Sequence, residues 1–343
     1  MGVEVRIKHD DLVQAVRELL ERAGVPSSVR EVEAEVMVEA DLTGVPSHGV
    51  RMLPGLLKAL HEDRIRRDPR LRLLRQQGAS CLLDCDLGPG RYVSVQGMHF
   101  AVEKARTFGI GICLAARTSH WGRAHAYAYR AAREDMIGLC TTNSMPSMFL
   151  PGSIRSVLGN NPLAIASPRG FGRDPIVLDM ALTQAAVGKI ATYLREGKDV
   201  PLGWGLDESG QPTRNAAAIL ASRKFLPMGG YKGYGLCLMM EILTAVLAGG
   251  LLGFEILRAD SSSLDPDSSK LFVAVNIEAF GDKDSFFRKS DLLLQNLCDA
   301  ADSGEDVLFP GERGWRTRDR YLLEGIPIHP EIVNQLRAIG MPI

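Results

Sequence analysis

The feature that most constrains the fold is a change of hydrophobic period close to residue 80 of 343. Before that point apolar residues recur at helical spacing. Leu12, Val13, Val16, Leu19 and Leu20 share one helical face, and Gly24 closes it as a C-cap. Pro26-Ser27-Ser28 opens a second helix whose Val32, Val36 and Ala40 step by four until Gly44. Leu53, Leu56, Leu57 and Leu60 form a third amphipathic segment. From Ser80 onward the apolar runs shorten. Cys81–Leu83, Ile110–Ala115, Met136–Thr141 and Ile176–Met180 read as strands, alternating with helices over 92–107, 122–134 and 184–196. A further helix from Tyr234 is expected to bury Leu236, Met239, Met240, Leu243 and Leu247. Ser261-Ser262-Ser263, Asp265-Pro266-Asp267 and Ser268-Ser269 read as a flexible loop. A strand (Leu271–Ile277), a helix (Asp284–Ala301) and two helical tail pieces separated by Gly325-Ile326-Pro327 follow. Helices therefore bracket a mixed α/β centre, and the tail is expected to return to the N-terminal helices.

A parallel α/β nucleotide-binding sheet ordinarily carries G-x-G-x-x-G between a strand and a helix. Here Gly88-Pro89-Gly90 lacks the third glycine, and Gly109-Ile110-Gly111 precedes a strand. Gly229 to Gly235 holds Lys232 before a helix but lacks the Gly-Lys-Ser/Thr of a phosphate-binding P-loop. Any dinucleotide must bind on a different frame. There is no G-x-S-x-G elbow for a serine hydrolase. Nor is there an H-E-x-x-H metal helix, and His120 and His125 are badly spaced for one helical face.

Charge narrows the partners. Forty Lys+Arg against 41 Asp+Glu leave a formal charge of -1, with none of the basic excess of a nucleic-acid binder. The densest positive stretch, Arg64 to Arg75, is diluted by Asp68, Pro69 and leucines and reads as a solvated helix end or loop. The apolar run Gly235–Phe254 contains Glu241, costly in hydrocarbon, so a buried helix is the better reading than a membrane span. Six scattered cysteines without C-x-x-C, and no basic-then-apolar leader, point to a reducing cytoplasm.

Three groups of residues have the types needed for chemistry. Gly44-Val45-Pro46-Ser47-His48-Gly49 lies at a turn between helices. There Ser47 can cap the next helix, and a hydrogen-bonded histidine can exchange protons near neutral pH. The plain alternative is a capping serine beside a surface histidine. Thr118-Ser119-His120-Trp121-Gly122-Arg123 follows a strand, the place where α/β enzymes commonly display working groups. His120 equally suits a structural role, and Arg117 and Arg123 suit either an anionic ligand or solvent. In the third group, Asn143-Ser144, Gly159-Asn160-Asn161-Pro162, Asp179-Met180-Ala181 and Lys232 amid its glycines are polar turns at element ends. Asp179 can cap amides or hold a histidine's second nitrogen, and Lys232 can meet a phosphate.

Taken in order, these segments resemble the malate/L-lactate dehydrogenase type-2 family, a non-Rossmann group of NAD(P)-dependent oxidoreductases. The carriers are Asp41-Leu42-Thr43-Gly44, Ser47-His48-Gly49, Ser119-His120-Trp121-Gly122, Thr142-Asn143-Ser144 and Gly159–Pro162. Leu178–Ala181, Pro201–Trp204, Gly230–Gly235, Pro310-Gly311-Glu312 and Gly325-Ile326-Pro327 complete them. The resemblance implies an α/β fold with a mostly antiparallel nucleotide-binding sheet. Residues 1–75 with 290–343 would form a mainly helical domain, and 76–289 the dinucleotide-binding and catalytic region. It also implies a homodimer, NAD or NADP, and hydride exchange with a small 2-oxo or 2-hydroxy acid. Imine 2-carboxylates, and a non-catalytic protein on the same fold, are the alternatives. His48 is then a proton donor or acceptor oriented by Ser47 and Asp179, with His120 a second candidate. Ser144, Asp179, Met180, Ala181, Lys232, Gly233 and Pro310-Gly311-Glu312 match cofactor contacts.

One departure matters. Relatives usually carry arginine four residues after the Ser-His histidine to hold the substrate carboxylate. Here that residue is Met52, and Arg51 sits one position early, roughly 100° around a helix. A desolvated carboxylate needs a cation, so either Arg51 reaches in from a shifted turn, another arginine substitutes, or the substrate is unusual; Arg123, just past His120, is expected to supply the charge.

Overall fold

The computed structural model describes residues 5–150, 152–259, 267–301 and 307–343. A short strand β1 (Val5–Ile7) leads into helices α1 (His9–Arg22), α2 (Ser27–Leu42) and α3 (Leu53–His61). Two 3-10 turns, Pro46–His48 and Val50–Met52, link α2 to α3. Next come β2 (Arg72–Gln77), β3 (Ser80–Gly88), α4 (Gly90–Phe108), β4 (Ile110–Thr118), α5 (His125–Arg133) and β5 (Met136–Thr142). They are followed by β6 (Leu163–Ser167), β7 (Ile176–Met180), α6 (Val187–Arg195), β8 (Gly205–Leu206), α7 (Ala216–Ser222) and β9 (Lys224–Phe225). Helix α8 (Tyr231–Glu241) runs on through a π-helical turn, Ile242–Val246, before α9 (Gly253–Ala259). The chain ends with β10 (Ser268–Asn276), α10 (Lys283–Asp299), α11 (Glu312–Glu324), β11 (Ile326–Ile328) and α12 (Pro330–Ala338).

The main sheet has seven strands in the order β2-β3-β4-β10-β5-β6-β7. Only β3 and β4 pair in parallel; the other neighbours are antiparallel. A parallel pair needs a crossover, and α4 provides it, packing with α5 on one face. There Phe272 of β10 is fully buried, its ring centroid 6.2 Å from Trp121 and 6.0 Å from Tyr127. A smaller cluster, Met148, Leu163, Leu182, Cys237 and Met240, includes residues of β6 and α8. The sheet is thus mostly antiparallel and non-Rossmann, as the resemblance implied.

A separate apolar core joins both ends of the chain. Leu12, Val16, Leu20, Leu53 and Leu60 pack with Ile326, Ile328, Val333 and Leu336. Strand β1 pairs antiparallel with β11, Val5 opposite Ile328.

Several expectations need correction. Strands β3 and β4 run past their apolar runs because Gly88 still pairs with Thr118. The basic stretch read as a helix end or loop runs into β2, an edge strand exposed along its whole length, so no apolar alternation marks it. Met239 and Leu247 are not buried: they are 48% and 62% exposed, on a face of the α8 segment that this chain leaves uncovered. Ser268 and Ser269, assigned to a loop, are buried in β10; Asp267 is a turn residue, and the loop's 261–266 lie outside the described residues.

Phe272→Ala should destabilise the fold by about 3–5 kcal/mol, the usual cost of emptying a buried aromatic site. Urea denaturation of parent and variant measures it. A loss below about 1 kcal/mol would mean that this cluster is not the core of the sheet.

Candidate active site

The Ser47-His48-Gly49 turn is shaped from beneath by Asp41 at the end of α2. Its Oδ2 accepts the Val50 N–H at 2.7 Å. A Cβ on Gly49 would lie 2.0 Å from that oxygen, so only glycine lets the turn settle onto the carboxylate. Burial pushes the Asp41 carboxyl up to about 7, against the Val50 amide, Arg91 and Arg51, which favour its charged form. Ser47 does not cap α3, because two 3-10 turns intervene and the helix starts at Leu53 without a side-chain cap. Its Oγ instead lies 2.8 Å from His48 Nδ1.

His48 shares one cavity, of about 590 Å³, with His120 from the segment after β4. The two rings are nearly parallel, their centroids 6.1 Å apart. His120 Nδ1 accepts the Gly122 N–H at 3.1 Å, so its neutral form carries the proton on Nε2. Burial lowers His48 to about 4; Asp179 pulls it upward while Arg123, Arg91 and Arg51 push it down. His120 is likewise held well below its ordinary value by burial, with His48, Arg91 and Lys270 adding to the effect. Both imidazoles are therefore uncharged at neutral pH. Asp179 favours the protonated form of His48.

Asp179, on β7, neither caps a helix nor hydrogen-bonds a histidine among the described contacts. Its Oδ2 accepts Arg123 Nε at 2.7 Å, while Arg123 Nη1 donates to Thr43 Oγ1 at 2.9 Å. This chain of contacts ties β7 and the segment after β4 to the end of α2. Ser144, Asn160, Met180 and Ala181 line the cavity too. Ser144 Oγ donates to Asn160 Oδ1 at 3.1 Å, and its N–H donates to Asn161 Oδ1 at 3.1 Å. Behind them Asn161 donates to buried Glu241 at 2.7 Å, which also accepts the Gly253 N–H at 2.8 Å. Glu241 is thus a buried acceptor that holds the Asn160-Asn161 turn.

The cavity brings together Ser47, His48, His120, Arg123, Ser144, Asp179, Met180 and Ala181. Arg51 is not among its lining residues; it is half-buried, with Arg195, Glu331 and Asp41 as its charged surroundings. Exposed Lys232 and buried Gly233 are not among the cavity's lining residues. Gly233 N–H reaches Met228 O, and Met228 N–H reaches Leu182 O, next to Ala181, both at 2.9 Å. Pro310, Gly311 and Glu312 also lie outside it, docked where Pro310 O accepts the Val177 N–H at 2.9 Å. Sequence reading missed Lys189, Thr192, Arg223 and Arg313, all in the lining, and the contact of Thr43 with Arg123. Lys189 and Thr192 share α6, while Arg223 follows α7 and Arg313 lies on α11, so no local motif joins them. Among the lining residues the cations are Arg123, Lys189, Arg223 and Arg313, against the single acid Asp179. Such a wall suits an anionic ligand. No metal-type cluster of His, Cys, Asp and Glu occurs among the described residues. No described helix is long and apolar enough to cross a membrane.

The family model for malate/L-lactate dehydrogenase matches residues 7–337. The chain belongs to the malate/L-lactate dehydrogenase family. The malate dehydrogenase of Pyrococcus abyssi is 33% identical over 345 residues, covering 98% of this chain and 94% of the relative. The sulfolactate dehydrogenase structure from Methanocaldococcus jannaschii matches with TM-score 0.89 and 33% identity, over 98% of this chain and 96% of that one. The Δ1-piperideine-2-carboxylate reductase structure from Pseudomonas syringae matches with TM-score 0.88 and 26% identity, over 98% and 100%. Dehydrogenases named for NAD(+) and for NADP(+) both occur among the relatives. This malate/L-lactate dehydrogenase family member is an NAD(P)-dependent dehydrogenase or reductase.

Gly49→Ala should lower Tm and reduce kcat together, since the new methyl must displace Asp41 or the histidine turn. Unchanged Tm and kcat would mean that the turn is not clamped. In the unfolded chain a histidine titrates near 6.5, above the value of about 4 for folded His48. The unfolded state therefore binds more protons between those values, and His48 withdraws stability as pH falls through that window. Asp41 is shifted the opposite way and acts in parent and variant alike. The Tm advantage of His48→Asn over the parent should therefore grow from pH 7 to pH 4.5. A constant difference would rule out the depressed His48 value.

Proposed function

We propose that this enzyme interconverts a small 2-hydroxy acid and its 2-oxo acid with NAD or NADP. The observation that carries the reading is the meeting of His48, His120, Asp179 and Arg123 in one cation-rich cavity beside Ser144, Met180 and Ala181. A bound nicotinamide supplies or takes up the hydride at the carbon that bears the oxygen.

The protein's own groups handle the proton and the charge. With Nδ1 committed to Ser47, His48 exchanges its proton through Nε2. As a neutral base it takes the hydroxyl proton, and Asp179 stabilises the imidazolium that results. His120 offers its Nε2–H to the same oxygen and polarises it in the reverse direction. Arg123, oriented by Asp179 and Thr43, draws the acid group toward the histidines; Arg51 is the weaker candidate because it lies outside the lining. Ser144, Asp179, Met180 and Ala181 form the near wall of the cofactor site. Lys232, Gly233 and the Pro310-Gly311-Glu312 turn form its outer margin. The excess of arginine and lysine in the wall fits the phosphates of a dinucleotide. Reduction of a cyclic imine 2-carboxylate uses the same groups, and the likeness to the Pseudomonas reductase supports testing it.

The exposed Leu238, Met239, Ile242, Val246 and Leu247 along the α8 segment support a homodimer that covers them. Free, unpaired cysteines, most of them buried, support a cytoplasmic setting.

His48→Asn should cut kcat by roughly 10²–10⁴ while NADH or NADPH binding, read by fluorescence titration, changes little. Arg123→Ala should raise KM for the acid substrate about tenfold or more, and Arg51→Ala much less. A parent protein that binds neither NADH nor NADPH, or acts on no member of a panel of 2-oxo acids and cyclic imines, overturns the reading.

A further inference from the structure

Arg91 has no part in the scheme above, yet it is buried against both histidines' surroundings. It sits at the start of α4 with its side chain 3% exposed. Nη1 meets Glu33 of α2 at 3.3 Å, and Glu33 also accepts the Tyr92 N–H at 2.8 Å. Nη2 donates to the His48 carbonyl at 3.2 Å and touches Met52 Sδ at 3.7 Å. Nε is buried and has no hydrogen-bond partner among the described residues. An orphaned guanidinium N–H is costly unless something comes to meet it.

The surroundings show where that something fits. Met52, Leu56, Ile65, Arg91, Ser119 and His120 line a small annex of about 10 Å³, room for one water-sized oxygen. His120 lines both this annex and the main cavity. A Cβ on Gly122 would come within 2.9 Å of Arg91 Nε, so glycine there keeps the approach open. Met52, where an arginine was expected, supplies no charge; its sulfur lies against Arg91 instead.

The geometry points to Arg91 as a further substrate-binding cation: its Nε holds one carboxylate oxygen in the annex beside His120, while Glu33 fixes the guanidinium and Met52 leaves the space. Arg123 grips from the cavity side, with Nε and Nη1 already engaged by Asp179 and Thr43. The substrate is thereby an acid whose carboxylate lies next to the carbon facing His120. This inference rests on the carboxylate-substrate reading of the preceding section.

The test uses the full chain and an active 2-oxo acid from the panel together with its methyl ester. Arg91→Gln alone leaves Glu33 buried without a partner, so the first variant is Arg91→Gln with Glu33→Gln, which removes both charges. Its folding is checked by Tm and by NADH or NADPH binding. The expected result is a rise of roughly ten- to a hundredfold in KM for the acid, with a smaller change in kcat. The preference for acid over ester should fall by a similar factor. Arg91→Lys keeps the charge but not the planar N–H geometry, and should show an intermediate preference if the double variant fails to fold. Adding Met52→Arg to the double variant should restore the preference, which a purely structural Arg91–Glu33 tie would not permit. An acid-to-ester preference unchanged in the double variant, or in Arg91→Lys where that alone folds, overturns the assignment of Arg91. A parent inactive on every acid instead overturns the functional reading beneath it.

Discussion

The active-site architecture depends on the contact between the Asp41 carboxylate and the Gly49-Val50 backbone. Asp41 is buried at the end of a helix that belongs to the helical core, while His48 must face the sheet-borne Asp179. Two consecutive 3-10 turns make that passage, and such turns hold poorly by their own hydrogen bonds. A carboxylate beneath them, accepting the Val50 amide at 2.7 Å, gives the turn one position. The absence of a side chain on Gly49 is what permits the contact.

The electrostatics of the cavity follow from burial. Two imidazoles in a desolvated space stay neutral, and the arginines around them deepen that effect. Asp179 offsets it for His48 and at the same time orients Arg123. A single carboxylate therefore raises the proton affinity of one imidazole and fixes the direction of one cation. Behind this layer the neutralised Arg91–Glu33 pair places a second guanidinium close to His120 without leaving a bare charge in the interior.

Much of the fold was legible as periodicity. Strand β7 begins and ends where its apolar run does, and α1 buries the face that Leu12, Val16, Leu19 and Leu20 marked. Strand β2 escaped because an edge strand exposed on both sides has no alternation to read. The α8 segment misled in the opposite sense: Met239 and Leu247 look like core residues, and nothing local tells that their face is left uncovered. At the site, the Ser47-His48 and Ser119-His120 pairs were visible because they match motifs of the family that the chain resembles. Lys189, Arg223 and Arg313 were invisible, since arginines and lysines default to solvent.

The amino-acid sequence by itself determined most of the longer helices and buried strands, that no Rossmann glycine loop is present, and which family the motifs resemble. Those are properties of neighbours along the chain. Tertiary structure alone decided that Asp179 grips Arg123 instead of a histidine, that Arg51 stands outside the cavity, and that Arg91 lies against Met52. Each of those pairings joins residues at least 39 positions apart or depends on which face of a turn is buried, and only packing brings such groups within reach.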